Sequence, residues 1–216
     1  MSESVETRIF GDWTVKIRPG KSARVILLLH GWTGDENSMW AFEKLLPEDA
    51  FVIAPRAPFD TVGTDLGGYS WVNRAVDFWP TMQDFRPSVY RLIELLKIIE
   101  DEVPSLEMED LTIGGFSQGA AMAIAFTEEF DTRVKKLAVL AGFLPDNLED
   151  SLGGLDDLDV FISHGSNDEV ISPDHAEMVR NHFRKRGSRV SMCLAQTGHR
   201  LGADCAPGLE KFLKYS

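Results

Sequence analysis

The sequence predicts an α/β fold in which a mostly parallel central sheet carries helices on both faces. Three observations carry the prediction. Strand-type and helix-type segments take turns along the chain, the order that builds a parallel sheet by crossover. The strand-type segments are continuous apolar runs rather than alternating ones, as burial on both faces demands. Finally, 216 residues with 44% hydrophobic and 26% charged side chains suit one domain with a sizeable core, so residues 1–216 are read as a single domain.

The elements follow in order. Arg8 to Ile17 alternates and predicts an entry hairpin turning at Gly11-Asp12. Buried strands are expected at Arg24 to Leu29, Ala50 to Ala54, Leu111 to Phe116, Lys136 to Ala141, Asp159 to Ser163 and Val190 to Leu194. Helices are expected at Ser38 to Leu46, Pro87 to Glu102, Gln118 to Phe130, Pro173 to Arg186 and Pro207 to Lys214. The Pro87 to Glu102 segment is strongly amphipathic: Val89, Leu92, Ile93, Leu95, Leu96, Ile98 and Ile99 gather on one side, and Pro87 suits its first turn. The stretch from Pro55 to Pro87 is too long for an ordinary connection and is rich in glycine and aromatic residues, as loops that shape a site often are.

Charge and composition exclude several classes. A net charge of −12 repels phosphate backbones and anionic lipids, and the one dense basic run, Arg184, Lys185, Arg186 and Arg189, falls where cations complement a helix C-terminus. No run approaches the roughly 18 apolar residues of a membrane span, and the acidic start Met1 to Glu6 lacks the basic and apolar regions of a secretory signal. Cys193 and Cys205 are too few for a disulfide framework and lack zinc spacing, so they are expected as buried or free thiols in a reducing compartment. The expected location is cytoplasmic. Its partner is expected to be a small-molecule acyl ester, with no nucleic acid and no stable membrane insertion; a homodimer is compatible with the sequence.

The chemistry-bearing residues begin with Gly115-Phe116-Ser117-Gln118-Gly119, a Gly-x-Ser-x-Gly pattern between an expected strand and an expected helix. A serine in that strained turn needs small neighbours, and the helix behind it aims backbone N–H groups at a developing oxyanion. An alcohol is a weak nucleophile at neutral pH and requires an oriented base. Of five histidines, His199 lies in the loop after the last strand, where the order Ser, acid, His expects the base. His175 and His182 read as helix-surface residues. The acid is expected after the penultimate strand, which selects Asp168 over Asp146 and Asp174. Oxyanion donors are expected at the Gln118 amide and, from the loop Leu29-His30-Gly31-Trp32-Thr33-Gly34, at the Trp32 amide. Trp71, Trp79, Val170 and Leu201 are candidates for an apolar substrate pocket, each in a loop near the C-terminal edge of the sheet.

These blocks, together with Ala54-Pro55-Arg56-Ala57-Pro58, Gly68-Tyr69-Ser70-Trp71, His164-Gly165-Ser166-Asn167-Asp168 and Thr197-Gly198-His199, resemble the phospholipase/carboxylesterase family of α/β-hydrolases, which includes acyl-protein thioesterases and bacterial carboxylesterases. The resemblance runs nearly end to end. It implies a compact α/β-hydrolase fold without a large cap domain, hydrolysis of short to medium acyl esters or thioesters, and no metal or cofactor. It also implies a triad of Ser117, Asp168 and His199 with oxyanion donors at Trp32 and Gln118. Trp32 is bulkier than the aliphatic residue common at that place, and Val72 to Trp79 is unlike the Trp-Tyr-Asp pattern of thioesterases, so a bacterial-type carboxylesterase resembles the chain more closely. The expected function is a serine carboxylesterase working through an acyl-enzyme. A lysophospholipase or acyl thioesterase is the alternative within the same chemistry, and a catalytically inactive binding module the alternative outside it.

Overall fold

The computed structural model describes residues 4–73, 79–129, 133–148 and 154–215. The chain enters through β1 (Glu6–Phe10) and β2 (Trp13–Arg18), an antiparallel hairpin in which Gly11 takes φ +57°, a left-handed conformation that glycine adopts without a Cβ clash. Then follow β3 (Val25–Leu29), β4 (Phe51–Pro55), the short strands β5 (Phe59–Asp60) and β6 (Tyr69–Ser70), β7 (Leu111–Phe116), β8 (Val134–Leu140), β9 (Asp159–Gly165) and β10 (Arg189–Ala195). Among the described residues, eight of these form one sheet in the order β1-β2-β4-β3-β7-β8-β9-β10. Every pairing from β4 to β10 is parallel, while β1 and β2 are antiparallel. β5 and β6 make a separate small hairpin.

Side-chain alternation along β3 divides the core between the two faces. Val25, Leu27 and Leu29 pack with Ile53, Leu92, Ile124 and Val179, whereas Ile26 and Leu28 pack with Met39, Val52, Leu209 and Leu213. The helices that cover the first face are α1 (Met82–Glu102), α2 (Gln118–Glu129) and α3 (Asp174–Lys185); α4 (Ala206–Lys214) and a 3-10 helix (Ser38–Leu45) cover the second. Each large aliphatic side chain buried this way contributes about 1.5–3 kcal/mol. Helix α2 is buried from Gln118 to Thr127, and its alanines let it approach the sheet closely.

Three expectations need correction. Helix α1 starts at Met82, placing Pro87 inside it: Thr81 and Asp84 form a reciprocal capping box, with the Thr81 amide donating to Asp84 Oδ2 at 2.8 Å and the Asp84 amide to Thr81 Oγ1 at 3.3 Å. The cap initiates the helix a turn early, and the proline costs one backbone hydrogen bond there. The segment from Ser38 is a 3-10 helix because Asp35 engages it locally, accepting from the Asn37 amide at 2.9 Å and the Ser38 hydroxyl at 3.0 Å. Most consequentially, Cys193 and Cys205 are joined by a disulfide. The pairing removes cysteine content as a ground for a reducing compartment. Two cysteines in isolation carry no framework pattern; only the path of the chain between β10 and α4 brings them together.

The expected end of α2, Phe130, and the segment 74–78 lie outside the described residues. Among the described residues no large cap interrupts the sheet connections, and no helix is long and apolar enough to cross a membrane. Two members of the basic run meet acids: Arg186 pairs with Glu128, and Arg189 with Asp159 at 2.6 Å. From β3 the chain moves outward to β4 and later returns to β7 on the other side, so the β3–β7 boundary is a topological switch point where α/β sheets open a crevice.

Candidate active site

The loops after β3 and β7 meet at that switch point. Ser117 follows β7 and precedes α2, and it holds φ +54°, a left-handed conformation that costs a non-glycine residue of the order of 1–2 kcal/mol. Its neighbours explain how the strain is imposed. A Cβ on Gly115 would stand 2.1 Å from Gly119 O, and one on Gly119 would stand 2.2 Å from Leu29 O and 2.3 Å from His30 O. Only glycine lets the elbow close on itself and lie against the end of β3. The Ser117 amide is anchored to Leu140 O at 2.9 Å.

His199 reaches the serine across the sheet edge. The loop after β10 folds over Gly165, where a Cβ would stand 2.2 Å from Gly198 O, and is tied down by the Ser166 amide donating to Ala195 O at 2.8 Å and the Asn167 amide to Thr197 O at 3.0 Å. The disulfide closes this loop from both ends, with His199 between its cysteines. Ser117 Oγ donates to His199 Nε2 at 2.9 Å, and His199 Nδ1 donates to Asp168 Oδ2 at 2.7 Å. The carboxylate accepts at Nδ1, which leaves Nε2 as the acceptor facing the hydroxyl.

Asp168 is buried, with its other oxygen accepting from the Val170 amide at 2.9 Å and the Ile171 amide at 3.0 Å. Burial alone would raise its pKa; hydrogen bonds from Ile171, His199 and Val170 outweigh it and hold the carboxyl below its ordinary range. His164 Nε2 donates to Ile171 O at 3.0 Å and lies 3.3 Å from Asp168 Oδ2, so it braces the same turn. The Asp146 backbone pairs with the segment that leads into α1, its carbonyl accepting from the Met82 amide at 2.9 Å and its amide donating to Pro80 O at 2.9 Å, and Asp174 opens α3. His182 pairs with Glu128 at 2.8 Å, and His175 packs on Trp79 with centroids 4.8 Å apart.

The loop after β3 brings Gly31 against the elbow: a Cβ there would stand 3.4 Å from Ser117 Cβ. Among the described residues neither the Trp32 nor the Gln118 amide has an acceptor in the protein. The loop is held rigidly around them. His30 Nδ1 donates to Gly31 O at 2.7 Å while Nε2 accepts from the Ala57 amide at 2.9 Å, fixing one neutral tautomer. Arg56 grips Glu36 with two bonds, 2.7 Å and 3.0 Å, and donates to Tyr69 Oη at 3.1 Å. The Gln118 side chain, whose role sequence reading missed, accepts from the Trp71 amide at 2.9 Å and donates to Ser70 Oγ at 3.1 Å. Elbow, oxyanion-side loop and β6 thus form one scaffold.

Burial lowers the His30 pKa below its ordinary 6.5, against smaller opposing effects from the Gly31 carbonyl, Asp35 and Glu36. The unfolded chain therefore takes up a proton at His30 before the folded one does. Its stabilising contribution is complete above pH 6.5 and declines as pH falls through the lowered folded value. Urea unfolding of the wild type from pH 7.5 to 5 should show this decline, and His30→Gln should show a shallower one; equal slopes would remove His30 as the cause.

The four pocket candidates separate. Trp71 is wholly buried in the core, its Nε1 donating to His30 O at 2.8 Å and its carbonyl accepting from Ser88 Oγ at 2.6 Å, so it supports the site from beneath. Trp79 is partly exposed and packs on Phe143, and Val170 is 65% exposed. Leu201 alone of the four lines the cavity beside Ser117, a volume of about 520 Å³ bounded also by Gly31, Trp32, Met39, Phe42 and Phe116. Phe116 packs on the His199 ring at 5.0 Å, which joins this cavity to the histidine. Phe42 of the 3-10 helix lines the same cavity, a role that no motif in the sequence marks. Among the described residues, no group of three His, Cys, Asp or Glu side chains is placed to hold a metal ion.

Such an arrangement can move a proton from a serine hydroxyl to an imidazole. The model of the phospholipase/carboxylesterase family matches residues 13–216. Acyl-protein thioesterase 1 of Candida albicans is 27% identical over 78% of this chain and 80% of that protein, and its namesake in Kluyveromyces lactis 30% identical over 79% of each. The Bacillus cereus carboxylesterase shares the fold, with a TM-score of 0.82 at 20% identity over 94% of both chains.

Proposed function

Because this chain belongs to the phospholipase/carboxylesterase family of serine hydrolases, and is thus a carboxylic ester hydrolase, we propose that it works as a single-domain carboxylesterase on short to medium acyl esters through Ser117, His199 and Asp168. The observation that carries the reading is the unbroken relay from Ser117 Oγ through His199 to Asp168, at 2.9 Å and 2.7 Å. In the proposed mechanism Ser117 Oγ attacks the acyl carbonyl as His199 Nε2 takes its proton. The amides of Trp32 and Gln118 donate to the oxyanion. His199 returns the proton to the leaving alcohol, and water then cleaves the acyl-enzyme by the reverse of these steps. Asp168 keeps His199 in the productive tautomer and stabilises the imidazolium. The apolar cavity bounded by Phe42, Phe116 and Leu201 receives the substrate's hydrocarbon portion.

A second reading, an acyl thioesterase, is favoured by the names and the 27–30% identity of the thioesterase relatives. The same relay serves either leaving group. Hydrolysis of para-nitrophenyl esters graded from acetate to laurate, beside acyl thioesters of matched chains, tests both. Higher kcat/KM on the oxygen esters of short to medium chains supports the carboxylesterase, a reversal supports the thioesterase, and no turnover of either by folded protein overturns both.

A further inference from the structure

The cavity beside Ser117 has apolar walls and one charged lining residue, Arg200. Its neighbour in sequence is His199, so the cation sits one residue from the proposed base. Arg200 is exposed, but its side chain is held: Nε donates to Thr197 Oγ1 at 2.6 Å, a bond inside the same loop that the disulfide closes. That bond occupies one of the five guanidinium donors and leaves both Nη groups to turn toward a ligand. Among the described residues no carboxylate pairs with Arg200. Arg18 and Arg24 likewise meet no carboxylate among the described residues, but each is spent on a backbone carbonyl, of Pro47 and Lys214; Arg200 is the one that lines the cavity beside Ser117.

We infer that Arg200 is a specificity-determining residue that selects esters bearing a carboxylate, with the apolar walls taking the hydrocarbon between the scissile carbonyl and that anion. The inference rests on the esterase reading of Ser117 and deepens it by naming the substrate class. The net charge of −12 repels anions at long range, so the selection is local. At physiological ionic strength charge effects fade over about 8 Å, and a guanidinium in contact with the substrate outlasts the diffuse repulsion. A cation at the mouth of an apolar cavity also answers a recurring requirement of small-molecule sites, a few placed polar groups that fix orientation.

The test pairs each anionic ester with a neutral match. On the acyl side these are para-nitrophenyl hydrogen adipate and its methyl ester; on the alcohol side, meta-acetoxybenzoate and its methyl ester. The quantity read is the ratio of kcat/KM, anionic over neutral, for wild type, Arg200→Gln, Arg200→Lys and Arg200→Glu at fixed ionic strength. The ratio in one arm should fall by about fivefold to tenfold in Arg200→Gln, be partly kept in Arg200→Lys, and fall further in Arg200→Glu. The arm that responds says whether the carboxylate lies on the acyl or the alcohol portion. Ratios indifferent to all three substitutions, with the neutral esters still turned over, overturn the role of Arg200 and leave the esterase reading standing. Turnover of none of the four esters by folded wild type overturns both.

Discussion

Replacing Ser117 by alanine should lower kcat for an acyl ester by about 10⁴-fold or more while leaving the unfolding midpoint close to that of the wild type. The size of the loss follows from the relay. Without Oγ, His199 has no hydroxyl to deprotonate and no acyl-enzyme forms, so the oxyanion amides and substrate binding act on a water that nothing positions. The neutrality toward folding follows from the backbone. Alanine at this position keeps a Cβ at φ +54° and retains the Ser117 amide bond to Leu140 O, so the strain and its anchor are both unchanged. Steady-state kinetics and urea denaturation on the same preparation separate the two effects. Retention of more than a tenth of wild-type kcat would remove Ser117 from the chemistry.

Gly119→Ala should damage stability and activity together, although residue 119 bears no reacting group. The added methyl would meet Leu29 O and His30 O at 2.2 Å and 2.3 Å, two backbone carbonyls that cannot rotate aside. Overpacking of this kind costs about 1–3 kcal/mol or more, and relief requires α2 to withdraw from the end of β3. That withdrawal separates the Gln118 amide from the Trp32 amide, and misplacement by about an ångström can reduce kcat by about 10²-fold. Gly114→Ala is the control. Its Cβ would meet Ala138 Cβ of the neighbouring strand β8 at 3.4 Å, an ordinary contact, and the variant should stay folded and active. A stable and fully active Gly119→Ala would contradict the account of why the elbow needs glycine.

The fold was legible because its two periodicities are strong. Val25 to Leu29 is apolar at every position, and a strand of that kind needs cover on both faces, which α1, α2 and α3 supply on one side and α4 on the other. The proximity of Ser117, Asp168 and His199 was legible because each lies just past the C-terminal end of a parallel strand, and parallel topology delivers those ends to one edge. What escaped the sequence depends on contacts between segments far apart in the chain. Trp71 follows a glycine-rich loop, and the sequence offers it as a pocket residue; its bonds to His30 O and the Gln118 side chain draw it wholly into the core. Pro87 favours a helix start at its own position, but the capping pair Thr81 and Asp84 begins α1 at Met82. The Cys193–Cys205 bridge and the Phe42 wall of the cavity required the three-dimensional path of the chain.

The central claim is that Ser117 is the group acylated during turnover. The most direct measurement is treatment of the folded wild type with a fluorophosphonate, followed by proteolysis and mass mapping of the adduct. The account predicts one adduct, on the peptide containing Ser117, with labelling slowed strongly in His199→Ala. No adduct on folded protein, or an adduct on another residue with Ser117 unmodified, would contradict it.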